Sequence, residues 1–160
     1  MSVGAATGGD GARFRGRHSL SYSSWQTLAP TEVHIFFEHT KDDRLHGLWV
    51  ILLTTGLRIG EAMALRWDDI DLETGSLTVR RTVQRLKGRG LVVGEPKTAR
   101  SRRTVYLSAG SIVALKLHEA RQKIERRNAR DLWQDRNLVF CTEVGDFTDP
   151  AGINLRSTVG

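Results

Sequence analysis

Between Leu45 and Leu53 the chain carries apolar side chains on every side of a helical projection. Leu45, Leu48, Trp49 and Leu52 repeat at i, i+3, i+4 and i+7, and Val50, Ile51 and Leu53 fill the opposite side. A helix apolar nearly all round has no face to give to water, so it must sit inside a layered domain with partners on several sides. Its uninterrupted apolar run, Leu48 to Leu53, is six residues, against the roughly 20 that a membrane span requires. The helix should stop at Thr54-Thr55-Gly56, because glycine accepts the left-handed conformation that ends helices. Arg58 then stands at the turn into a third helix.

The remaining elements follow from periodicity. Pro30 suits a first helical position and Glu32 can reach back to the amides of that turn, although Ala29 is a poor N-cap. Val33, Phe36, Phe37 and Thr40 form one face of this first helix, and the buried helix should begin after Asp42 or Asp43. The third helix is expected over Ile59–Trp67, with Ala62, Met63 and Leu65 or Arg66 inward. The period then changes to two: Ser76–Gln84, Leu91–Val93 and Arg103–Leu107 read as strands, with turn residues at 87–90. Short connections between them suggest an antiparallel meander. Tyr106 reads as a packing residue in the last strand. Gly110–Arg130 reads as one long helix with Val113, Leu117, Ala120 and Ile124 inward. Leu138–Cys141 is a short strand-like segment in which Cys141 serves as a small apolar filler, and Asp149-Pro150 opens a further helix. The expected fold is α+β, mostly helical with a three-stranded antiparallel sheet. Residues 1–26, rich in Gly, Ser and Ala, read as a disordered tail or linker remnant, and 27–160 as one partial domain.

Charge is placed unevenly. The chain of 160 residues has a net charge of +6, yet Arg80 to Arg103 holds nine Lys/Arg against one acid, Glu95. That segment is therefore +8 and everything else −2. A local excess of this kind is the footprint of a surface facing nucleic acid; the alternative is a basic rim that keeps a strand edge from pairing. The candidate DNA-binding residues are Arg80, Arg81, Arg85, Lys87, Arg89, Arg100, Arg102 and Arg103. Arg13, Arg15 and Arg17 could touch a phosphate backbone, but a solvated tail is the preferred reading. The single cysteine excludes an internal disulfide framework and fits a reducing cytosol. The histidines lack zinc-ligand spacing, and neither a metal nor a cofactor is expected.

Two motifs carry the functional reading. Thr55-Gly56-Leu57-Arg58-Ile59-Gly60-Glu61 is followed by Ala64-Leu65-Arg66-Trp67-Asp68-Asp69-Ile70-Asp71, and Pro96-Lys97-Thr98 lies in a basic loop before Arg103-Thr104-Val105. The combination, from about Leu28 to about Arg156, resembles the catalytic domain of the tyrosine recombinases, or phage integrases. The resemblance implies DNA integration and site-specific recombination by strand breaking and rejoining through a phosphotyrosine. It implies that Arg58 binds the scissile phosphate, that Lys97 protonates the leaving 5′-oxygen, and that Glu61 supports the site from behind. The chemistry suits the residue types. A bidentate guanidinium stabilises charge gathering on phosphate oxygens, and a lysine among other cations readily releases a proton.

The resemblance also implies a His-x-x-Arg box and a tyrosine nucleophile. Both are expected beyond Gly160, with no His-x-x-Arg expected within residues 1–160. Tyr106 and Tyr22 are in no setting that activates a phenol. The expectation is a truncated, catalytically incompetent fragment of marginal stability that still binds double-stranded DNA, possible partners including an intact recombinase subunit but no membrane. A non-catalytic DNA-binding module and an interaction remnant docking on an intact recombinase stand as alternatives.

Overall fold

The computed structural model describes residues 30–95 and 102–153. Helix α1 (Pro30–Thr40) leads through a short turn into α2 (His46–Thr55), and α3 (Ile59–Met63) follows at once. Five strands come next: β1 (Ile70–Asp71), β2 (Ser76–Val79), β3 (Thr82–Leu86), β4 (Gly90–Gly94) and β5 (Arg103–Tyr106). The long helix α4 (Ala109–Ala129) and two 3-10 turns, Arg130–Leu132 and Pro150–Gly152, complete the described chain. No described helix is long and apolar enough to cross a membrane. The readings that fall on Met1–Ala29, on 96–101 (including Lys97 and Arg100) and on 154–160 lie outside the described residues.

The buried helix behaves as its composition demands. Leu48 and Ile51 are wholly buried and Trp49 nearly so, and only its last turn opens to solvent, at Leu53. With Leu48 and Ile51, the side chains of Met63, Leu65, Leu77, Val79, Leu115, Val139 and Phe140 form a core in which none of these is more than 1 % exposed. Gly56 caps α2 at φ 67°, its N–H bonding Leu52 O. Asp43 accepts the Leu45 N–H at 2.8 Å, and the α1–α2 turn is tied to the rest of the fold by Arg44, which grips Glu125 of α4 at 2.6 and 2.8 Å.

The three strands do not make one meander. Two separate sheets form: a three-stranded antiparallel sheet in the order β1-β2-β5, and the β3-β4 hairpin alone. The alternation read across Ser76–Gln84 is real, since Leu77, Val79 and Val83 are all buried on one side. The position between them is Arg81, whose guanidinium bonds the buried Asp69 carboxylate at 2.9 Å, with Arg80 at 3.3 Å on the other oxygen. The chain leaves one sheet and enters another at this charged junction, so the period survives while the pairing partner changes.

Three further readings are corrected. The third helix ends at Met63, and Trp67 belongs to a separate 3-10 turn, Trp67–Asp69. Leu138–Cys141 is held by isolated bridges (Arg66 to Leu138, Cys141 to Phe147) rather than as a strand, although Cys141 is buried as expected. Burial pushes the Cys141 thiol above its ordinary pKa, as suits an inert filler. Tyr106 does not pack at all: it is 80 % exposed, on the outward side of β5 with Thr104.

The largest correction concerns α4. Val113, Leu117 and Ile124 are each more than half exposed, and Ala120 is exposed too. The buried face consists of Ser111, Ala114, Leu115, His118 and Gln122. Three of those five are polar, and each is satisfied. Ser111 Oγ lies 2.9 Å from both Ser108 Oγ and Thr54 Oγ1, His118 Nε2 is 2.7 Å from Val139 O, and Gln122 Nε2 donates to Leu138 O and Val139 O. Buried polar groups with complete hydrogen bonding cost little, so hydrophobicity alone chose the wrong face.

Candidate functional site

The turn between α2 and α3 is built by three successive backbone states. Gly56 is left-handed, Leu57 is 5 % exposed and anchors the loop in the core, and Arg58 is extended at φ −70°, ψ 147°. Arg58 O then accepts from Glu61 N and Ala62 N, starting α3. The Glu61 carboxylate returns to the Arg58 backbone N–H at 2.9 Å, a reciprocal contact that fixes the direction in which the Arg58 side chain leaves the turn. That side chain is exposed and forms no ion pair among the described residues.

Glu61 is the centre of the arrangement. Its side chain is 4 % exposed, and both oxygens are taken by Arg103 of β5, Nη1 to Oε1 at 3.1 Å and Nη2 to Oε2 at 3.0 Å. Burial by itself would raise the Glu61 pKa. The Arg103 hydrogen bonds and the Arg58 N–H outweigh it and hold the carboxyl below its ordinary value. The same bonds to Glu61 raise Arg103. Glu61 therefore stays ionised, and links the Arg58 turn to the strand that leaves residues 96–101, where Lys97 stands.

Gly60 brings the second sheet to this turn. A Cβ there would lie 2.5 Å from Val83 O and 2.9 Å from Thr82 Oγ1, so the start of β3 can press on α3 only because the side chain is absent. Asp69 holds the other end of the junction. It is 7 % exposed, accepts the Arg66 N–H at 3.0 Å and pairs with both Arg80 and Arg81.

The described basic residues expected to meet DNA thus divide into three groups. Arg81 and Arg103 are partly buried and held by buried carboxylates, and Arg80 shares one of them. Arg85 pairs with Asp149 at 2.5 Å and Arg102 pairs with Glu95, all at the surface. Lys87 and Arg89, at the tip of the β3–β4 hairpin, are exposed and in no ion pair among the described residues. Sequence reasoning missed Asp69 as an organiser, although the acid-rich string Trp67-Asp68-Asp69-Ile70-Asp71 beside a basic segment was the signal.

A His-x-x-Arg string does occur in the chain, as His118-Glu119-Ala120-Arg121 on α4, against the expectation that none lies within these residues. Its side chains serve packing. His118 is 6 % exposed between Val139 O and the Phe140 ring, and burial, the largest influence, lowers its pKa. Arg121 donates to the carbonyls of Asp43 and Lys41 at 2.9 and 3.1 Å, closing the α1–α2 turn onto α4.

Comparison with known proteins agrees with this architecture. The family model described as the phage integrase family matches residues 26–146. A tyrosine recombinase XerC-like protein of Caldanaerobacter subterraneus is 32 % identical over 139 residues, covering 80 % of this chain and 36 % of that protein. An integrase of Streptomyces ambofaciens is 36 % identical over 115 residues, covering 68 % of this chain and 29 % of that one. Among solved structures, the Tn1549 transposon integrase in complex with a circular intermediate DNA superposes with a TM-score of 0.61 at 26 % identity, over 76 % of this chain and 39 % of that chain. The chain thus spans well under half the length of each of these relatives. With the family model covering most of its residues and the helix–sheet order reproduced, this chain belongs to the phage integrase family.

Proposed function

We propose that this chain forms the phosphate-gripping part of a DNA strand-breaking and rejoining recombinase. Arg58 binds the scissile phosphate through its guanidinium fork, Lys97 protonates the departing 5′-oxygen, and Glu61 positions Arg58 without touching DNA. The observation that carries the reading is the pairing of an exposed Arg58, in no ion pair among the described residues, with a buried Glu61 whose carboxylate is held by Arg103 and by the Arg58 N–H. An arginine that only closed a turn would direct its guanidinium to the turn's own carbonyls or to Glu61, and Glu61 is already held by Arg103.

Double-stranded DNA is the proposed partner, with Lys87 and Arg89 at the hairpin tip giving sequence-independent contacts to the phosphate backbone. Arg103 is assigned to Glu61 and Arg81 to Asp69, rather than to phosphates. In the reaction the attacking nucleophile comes from outside the set of residues named here. Tyr106 stands on the exposed face of β5.

Two measurements test the assignment. Fluorescence anisotropy with a duplex of about 30 base pairs should show Arg58→Ala weakening binding about tenfold, the worth of a charge-assisted contact. An unchanged affinity would remove Arg58 from the phosphate. In an assembly that supplies the nucleophile, Lys97→Ala should slow cleavage of an ordinary duplex while leaving a 5′-bridging sulfur substrate nearly unaffected, since a thiolate leaves without a proton. Equal defects on both substrates would contradict the role given to Lys97.

A further inference from the structure

On α4, Val113, Leu117, Ala120 and Ile124 follow a 4-3-4 spacing, the repeat of a coiled-coil seam. At about 100° per residue they fall within a sector about 60° wide, and the buried positions Ser111, Leu115, His118 and Gln122 lie on the opposite side. The helix has therefore already satisfied its domain with one face and carries a second apolar face to the outside. Val113 is 57 %, Leu117 58 % and Ile124 51 % exposed. Three large aliphatic side chains aligned on one exposed seam are more than the scattered surface leucine that needs no explanation.

The charges beside the seam select what fits it. One flank carries Lys116 and Lys123, one heptad apart, and Arg127 takes the seam position that follows Ile124. The other carries Arg121. The acids of this helix sit away from the seam: Glu125 is held by Arg44, and Glu119 reaches Lys123 at 2.8 Å in a surface pair. A second copy of α4 laid along the seam would set these basic flanks against each other in either orientation, which disfavours self-pairing. A phosphate backbone would match the charge but would leave the aliphatic seam uncovered.

We propose that this face of α4 docks an amphipathic helix of another polypeptide, with leucine-type residues at its a and d positions and glutamate or aspartate at its e and g positions. The seam supplies the apolar contact. Lys116 and Lys123 fix the register and reject basic partners.

The test uses the whole chain and two synthetic peptides as long as α4. One has Leu at a and d with Glu at e and g, and the other has Lys in place of Glu. Titration of each labelled peptide should show the Glu peptide binding and the Lys peptide not. Replacing Leu117→Ser with Ile124→Ser removes two aliphatic side chains from the seam and should weaken the Glu peptide by at least about thirtyfold. Circular dichroism should show an unchanged fold, since both residues are exposed. Lys116→Glu with Lys123→Glu should invert the preference, so that the Lys peptide binds and the Glu peptide does not; this outcome does not depend on the serine variant. The proposal is overturned if neither pair of substitutions alters peptide affinity. It is overturned in favour of a second copy if sedimentation shows a dimer that the serine pair dissolves. It is likewise overturned in favour of nucleic acid if the serine pair weakens binding to duplex DNA instead.

Discussion

The Arg58 turn and the β3–β4 hairpin are both basic, yet they are built on opposite plans. At the turn, one exposed arginine is aimed by a backbone whose neighbouring groups are committed: Gly56 to the cap, Glu61 to Arg58 N–H and to Arg103. At the hairpin, Lys87 and Arg89 are exposed at a two-stranded tip, and the ion pair of Arg85 with Asp149 lies at the surface. The first region fixes geometry through burial, while the second supplies charge with little geometry. Substitutions in the turn's buried scaffold should therefore change stability, those at the hairpin tip should change only the electrostatics of binding, and Arg58 itself should respond to the shape of its side chain as well as to its charge.

The largest stability effect is expected from Glu61→Ala. Breaking a buried ion pair costs about 3–5 kcal/mol, and because the Arg103 side chain is 36 % exposed the loss here should be about 2 kcal/mol, read from urea unfolding. The same pair gives a pH signature. The folded-state pKa of Glu61 lies below its ordinary value of 4.5, so its contribution is complete above that value and disappears as pH falls through the folded one. Glu61→Gln should flatten this part of the acid limb, and an unchanged acid limb would show that the pair adds nothing. Next comes Gly60→Ala, where the new methyl group meets Val83 O; overpacking there should cost about 1–2 kcal/mol and loosen the hairpin from α3. Asp69→Asn should cost about 1 kcal/mol by weakening the hold on Arg80 and Arg81. The smallest effect on stability belongs to the hairpin tip: Lys87→Ala with Arg89→Ala should stay within about 0.5 kcal/mol of the parent in unfolding. The same pair should reduce the salt dependence of duplex binding by about one unit of log–log slope for each phosphate left without its cation. A large loss of stability at the tip would break the contrast between the two regions.

The parts of this molecule that were legible in the sequence are those where local chemistry and tertiary packing agree. The all-round apolar helix, its glycine stop and the Glu61 contact to the Arg58 turn could be read because these side chains pack and bond as their chemistry suggests. The α4 face could not, because His118, Gln122 and Ser111 are buried with their hydrogen bonds satisfied while Val113, Leu117 and Ile124 face outward. Periodicity ranks residues by apolarity and does not see a carbonyl waiting at Val139. The sheet division was hidden for a related reason. Arg81 sits on the inward side of an otherwise regular alternation, and only its partner Asp69, twelve residues earlier, shows that the chain changes sheets there. Arg103 is one more cation of a basic run by sequence, and only its pairing with Glu61, 42 residues earlier, sets it apart.

The contrast between geometry and charge is tested most directly by two substitutions that preserve charge. Arg58→Lys and Arg89→Lys each keep the positive charge but replace a planar fork by a point charge. Measured with one duplex at one salt concentration, Arg58→Lys should weaken binding by about five- to tenfold, while Arg89→Lys should leave it within about twofold. Equal effects at the two positions, or a neutral Arg58→Lys, would mean that the turn contributes charge alone and that its buried scaffold has no part in gripping a phosphate.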